Sequence, residues 1–332
     1  MKYKDIIDQL TLKEKVALLT GKTFWETQNI DRLGIPSMFL SDGPHGLRKQ
    51  ACASDHLGLN ESVKATCFPT ASGSSNSWNL DLLKLMGETL SKEARDQDVN
   101  ILLGPGINIK RNVLCGRNFE YFSEDPYLAG KLAANLIKGI ESTGISACVK
   151  HFAANSQELC RCTVDSKIDE RALREIYLTN FEIAVKEGQP HALMSSYNLV
   201  NGVYTNESDH LCKDILRNEW GYKGIIVTDW GGENDRIKGL LATNELEMPT
   251  GGGDTTYELY TAVNEGKLDI KEIDERLDSL LDVTFRTSKA LQNKGEGIDP
   301  AKHHEIARQV AEESIVLLEN DGVLPLKDAT KV

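Results

Sequence analysis

Asp229 and Trp230 close the apolar run Gly224-Ile225-Ile226-Val227-Thr228, and two glycines follow at once. A buried parallel strand reads as such a β-branched run, and in a strand–helix barrel the residues just past each strand's end line the active-site face. A carboxylate placed there can do chemistry. An indole ring beside it offers a flat apolar surface of the kind that stacks on a sugar ring. Read locally, the same pair is a turn or a helix cap, a common use of short polar residues after strands.

Other segments repeat the pattern. Met38 to Gly43 ends a short apolar strand in Asp42, and Val99 to Gly106 ends another in a glycine turn. Ile145 to Val149 leads into Lys150-His151, and Ala192 to Ser196 into Tyr197-Asn198. Between these strands lie helical patterns at Leu80 to Ala94, Leu128 to Ser142 and Glu170 to Glu187. Strands alternating with helices of this length argue for βαβ units, and a TIM-like (β/α) barrel, complete or collapsed to fewer strands, is the α/β fold that gathers many strand ends at one point. A doubly wound open sheet is the alternative, but Asp42-Gly43-Pro44-His45-Gly46 lacks the spacing of a dinucleotide loop. Five strands are legible and a sixth lies around Leu240 to Met248; none can be read between Asp254 and Thr287.

The formal charge of −12 argues against nucleic acid or an anionic membrane as partner. A barrel takes roughly 250 residues, so a 332-residue chain has length to spare. The charged start Met1-Lys2-Tyr3-Lys4-Asp5 has no signal-peptide pattern, and no apolar run is long enough to span a bilayer. Seven cysteines at irregular spacings suit reduced thiols, so the expected location is cytoplasmic. Cys160-Arg161-Cys162 near His151 lacks zinc spacing and an evident fourth ligand, so no metal or other cofactor is expected. Gln292 to Gly297 reads as an exposed linker, which divides the chain into a barrel at 1–290, a linker at 291–300 and a further segment at 301–332.

Asp42-Gly43-Pro44-His45-Gly46-Leu47-Arg48, the stretch Gly116 to Pro126, Lys150-His151-Phe152, Met194 to Asn198 and Thr228-Asp229-Trp230-Gly231 resemble, in this order, the motifs of glycoside hydrolase family 3, its β-glucosidase branch above all. The resemblance runs from about Leu10 to the last residue. It implies a retaining, exo-acting β-glucosidase that removes terminal β-D-glucosyl residues through a covalent glycosyl ester. Asp229 matches the nucleophile. Asp42, Arg48, Arg117, Lys150, His151, Arg161, Met194, Tyr197 and Trp230 match the residues that hold the sugar. Two carboxyl groups roughly 5–5.5 Å apart serve such chemistry, and charged side chains make the stronger hydrogen bonds to hydroxyls. Taken singly, Asp42 could belong to an Asx turn, Arg117 and Glu120 to a solvated charge cluster, His151 to a satisfied core, and Met194 and Tyr197 to plain packing.

Departures refine the reading. The loop Ala153 to Glu158 has no histidine where relatives acting on N-acetylglucosamine carry one, and Asp42-Gly43-Pro44 differs from xylosidase-like members, so glucose is the expected sugar. In this branch the general acid is a Glu on an α/β sandwich domain that follows the barrel. Residues 301–332 resemble the opening of that domain, so most of it, acid included, is expected to be missing from this chain, supplied in cis or in trans by a partner, with weak activity and self-association of the chain alone. Glu120, Glu158 and Glu233 are in-chain carboxyls that could substitute. The alternatives from other classes are a non-catalytic sugar-binding barrel and an aldolase-like lyase using Lys150 as a Schiff base.

Overall fold

Five short strands form one parallel sheet: β1 (Leu40–Asp42), β2 (Ile101–Leu103), β3 (Ser146–Phe152), β4 (Ala192–Ser195) and β5 (Ile225–Val227), side by side in chain order. The computed structural model describes residues 1–51, 60–295 and 297–326. Registers such as Leu40 to Ile101, Ile101 to Ser146 and Ala192 to Ile225 line up the strand ends, so that the segments after them open on one face. Side chains alternate between two apolar layers. Leu102, Ala147, Val149, Leu193 and Ile226 join the layer beneath the helices, while Ile101, Leu103, Cys148, Ala192, Met194, Ile225 and Val227 join the inner one. Burial on both faces explains why the strands read as unbroken apolar runs.

Helices cover the outer layer. Asn79 caps Leu80–Asp96 through the Asp81 and Leu82 amides, and Asp125 caps Pro126–Ile140 with proline in the first turn, where a missing N–H costs nothing. These two helices touch backbone to backbone. A Cβ on Gly139 would stand 2.2 Å from the Lys84 carbonyl oxygen, and one on Gly87 2.5 Å from that of Leu136. The stretch 170–188 is helical throughout, with wide i→i+5 turns alternating with α turns.

The ring of strands closes through two-residue bridges rather than full strands. Val227 pairs with Leu246, Glu247 with Thr20, Gly21 with Thr27, and Glu26 with Phe39 next to β1. The sixth extended segment therefore starts later than its apolar content suggests, because Asp235 caps a helix at Arg236–Leu241 that absorbs Leu240. Between Asp254 and Thr287 the described chain is helical, in Asp254–Asn264 and Ile270–Leu291. The helix Pro300–Ser314 seats Ala307 and Val310 in the outer layer, and His303 Nδ1 lies 2.7 Å from Glu93 Oε1. Ile315 to Leu318 then run exposed. Among the described residues, no helix is long and apolar enough to cross a membrane.

Candidate active site

A cavity of about 220 Å³ opens over the strand ends. Nine of the ten residues singled out from the sequence line it: Asp42 from β1, Arg48 and Arg117 from loops, Lys150 and His151 from β3, Arg161 from the loop after it, Met194 from β4, and Asp229 and Trp230 after β5. Tyr197 stands behind this wall. Its hydroxyl donates to the Trp230 carbonyl at 2.8 Å, and the Arg161 guanidinium lies 4.7 Å from its ring centre. The aromatic lining extends beyond the sequence reading. Phe24, Trp25, Gln50, Ser62 and Leu103 also face the cavity, Trp25 lies 5.2 Å from the Trp230 ring, and the Trp230 indole donates to the Phe24 carbonyl at 2.8 Å. A tryptophan between a helix and the first strand, in Thr23-Phe24-Trp25, is the signal that could have found this wall.

Charge in the site is organised around Lys150. Its ammonium lies 2.9 Å from Asp42 Oδ1 and 3.2 Å from Glu120 Oε1. Burial alone would strip its proton, but the two carboxylates outweigh burial and hold Lys150 charged. Asp42 in turn feels burial, which would raise it, and Lys150 and Arg48, which prevail and keep it below the usual range. A lysine held this firmly as a cation is a hydrogen-bond donor and a poor Schiff-base nucleophile. That argues against the aldolase alternative.

Glu120 was legible only as a candidate acid or a solvated charge. It is 6% exposed and takes a second cation, Arg117, whose Nε donates to Oε2 at 2.9 Å. Lys150 and Arg117 overcome its burial and keep it ionised, so it is no proton donor. Glu158 stands 3.0 Å from Arg161 and 3.8 Å from Arg117. Glu233 is buried outside the cavity lining.

His151 is a core histidine as well as a lining residue. Arg117 Nη2 sits 2.8 Å from Nε2, and an arginine only donates, so Nε2 is the acceptor and Nδ1 carries the proton toward Tyr121 Oη at 3.1 Å. Burial, then Arg117 and Lys150, push its pKa well below the ordinary value, so the ring stays neutral. Asp229 Oδ2 lies 3.7 Å from that Nε2 and has no hydrogen-bond partner, while Oδ1 accepts the Trp230 amide at 2.8 Å. Burial raises the Asp229 pKa against the pull of Arg117 and Lys150. The result is a poorly solvated carboxyl on the cavity lining, with one oxygen that accepts no hydrogen bond. A carboxylate in such a place can attack an electrophilic carbon. Among the described residues, no cluster of His, Cys, Asp and Glu has the grouping of a metal site.

Residues 26–283 match the model of the glycosyl hydrolase family 3 N terminal domain. The chain belongs to glycosyl hydrolase family 3. The thermostable beta-glucosidase B of Acetivibrio thermocellus is 51% identical over 98% of this chain and 43% of its own length. An exo-alpha-(1->6)-L-arabinopyranosidase of Bifidobacterium breve is 44% identical over 96% of this chain and 42% of its own. The structure of beta-glucosidase 3B from Thermotoga neapolitana in complex with alpha-D-glucose superposes with a TM-score of 0.91 at 38% identity, covering 98% of this chain and 48% of that one. The chain thus spans less than half the length of these family 3 relatives.

Proposed function

We propose that this chain supplies the sugar cavity and nucleophile of a retaining β-glucosidase, acting on terminal β-D-glucosyl residues through a covalent ester on Asp229. The observation that carries the reading is the buried Asp229 carboxyl, which lines a cavity whose other charged groups are already paired and whose Oδ2 accepts no hydrogen bond. Asp42 accepts from sugar hydroxyls while Lys150, Arg48, Arg117 and Arg161 donate to others. Trp230, with Trp25 against it, forms the apolar platform. In the first step the Asp229 oxygen bonds to the anomeric carbon as the bond to the leaving oxygen breaks, and that oxygen takes a proton from a general acid. Water then cleaves the ester, the acid now acting as base.

The acid is a separate question. Asp42 and Asp229 are the carboxyls that line the cavity among the described residues, and Asp42 is held ionised by Lys150. We therefore place the proton donor outside this constellation. The glucosidase relatives, longer than this chain by more than half their own length, favour a donor on the segment it does not share. General acid catalysis typically contributes ~10²–10⁴-fold, most for poor leaving groups. The described cysteines form no disulfide with one another, an arrangement that suits a reducing, cytoplasmic setting.

The test is trapping with dinitrophenyl 2-deoxy-2-fluoro-β-D-glucoside, whose leaving group departs without a proton. Intact mass should rise by one fluoroglucosyl unit, and peptide mapping should place it on Asp229. Label on another residue, or on none, would sink the assignment. Faster trapping by an α-L-arabinopyranoside analogue would redirect the sugar.

A further inference from the structure

Three residues beyond Trp230 a second carboxyl is buried behind the cavity. Glu233 keeps only 2% of its side chain exposed; Oε1 accepts from Asn206 Nδ2 at 2.7 Å, and Oε2 stands 3.3 Å from Arg236 Nη1. Arg236 is itself 1% exposed and donates through Nη2 to the backbone carbonyls of Leu19 at 3.1 Å and Glu245 at 3.4 Å. The turn 229–235 is therefore gripped from two sides. In front, Tyr197 holds the Trp230 carbonyl and Met248 O accepts the Gly231 amide at 2.8 Å; behind, Glu233 ties it to the Asn206 turn and to the segments that close the sheet.

We propose that Glu233 is a positioning residue, whose buried contacts to Asn206 and Arg236 fix the turn that presents Asp229 and Trp230 to the cavity. The proposal rests on reading that cavity as the sugar site. A residue that only filled space here would be apolar, because burying a carboxyl without need is costly. Its surroundings also make the hold pH-dependent. Burial, reinforced by Glu247 and Glu207 and opposed by Arg236, pushes Glu233 up to about 7 from 4.5. Asp235, Lys238 and Glu258 are the other charged groups on the adjoining elements, with Asp235 and Lys238 paired to each other. Because the folded pKa is the higher one, the stabilisation is full below pH 4.5 and is lost as pH rises through about 7, where ionised Glu233 faces two other carboxyls. The turn is tighter on the acid side of neutrality.

Amide hydrogen exchange of the 332-residue chain, corrected for intrinsic rates, reads this directly. Between pH 6 and 8.5 protection of residues 230–235 should fall by about tenfold in the wild type, stay flat in Glu233→Gln, and be low throughout in Glu233→Ala, with the β3 amides unchanged in all three. Glucose affinity should drop by about tenfold in Glu233→Ala, following the loosened turn. Wild-type protection in the turn of Glu233→Ala, or a flat wild-type profile that overlays Glu233→Gln, overturns the proposal. If Glu233→Ala does not fold, the wild type against Glu233→Gln decides. If the wild type binds no glucose, the sugar reading fails while the exchange profile still judges the turn.

Discussion

Replacing Glu120 by glutamine tests whether the site is built as a charge lattice. Glu120 sits between the buried Lys150 at 3.2 Å and the half-buried Arg117 at 2.9 Å. Removing one partner of a buried ion pair costs ~3–5 kcal/mol, because it strands the other charge. The glutamine oxygen still accepts one hydrogen bond, worth about 1 kcal/mol. Lys150 also retains Asp42 at 2.9 Å, whereas Arg117 is left with Glu158 at 3.8 Å. The net loss works out at about 2–3 kcal/mol, or a melting temperature lower by about 3–4 °C for a chain of this size. Urea unfolding followed by near-ultraviolet circular dichroism measures it. The Glu120 pKa is lowered from 4.5, so its contribution is full above pH 4.5 and disappears as pH falls through the lower folded value. The gap between wild type and variant must narrow on acidification. Overlapping midpoints at pH 7, or a gap that widens in acid, would refute the lattice.

Two further outcomes follow from neighbouring features. Asp229→Asn should abolish fluoroglucoside trapping yet raise stability at pH 7 by on the order of 1 kcal/mol; since burial raises the Asp229 pKa, the gain should shrink as pH falls toward 3.8, opposite in sense to Glu120→Gln, and urea midpoints at pH 7 and 4.5 check it. Gly139→Ala should cost ~1–3 kcal/mol by forcing apart the helices that meet at Lys84, seen as a lower urea midpoint with glucose affinity unchanged.

The five strands were legible because burial on both faces leaves unbroken apolar runs, and their polar termini were legible because a barrel spends its strand ends on function. Leu240 misled the reading of the sixth strand for a physical reason: Asp235 caps a helix there, and capping chemistry overrode apolar content. Trp25 escaped because its role depends on the Thr20–Thr27 segment folding across the cavity, a contact with Trp230 separated by some two hundred residues of chain. Glu120 was visible as a charge but not as the bridge between Arg117 and Lys150. Sequence gives the sign of a group and leaves out its neighbours.

The two-residue bridges that close the ring have a consequence for how this cavity can diversify. Five strands and their ends hold Asp42, Lys150, Met194 and Asp229 on a stiff arc, whereas Phe24 and Trp25 ride on the seam that runs from Gly21 to Phe39. Insertions or substitutions along the seam change the aromatic wall without shifting the register of any strand that holds a charged group. The reactive geometry and the outer shape of the cavity thus sit on separately variable parts of the chain. On the proposed function, such a barrel can exchange the molecules it accepts while the chemistry at its strand ends stays fixed.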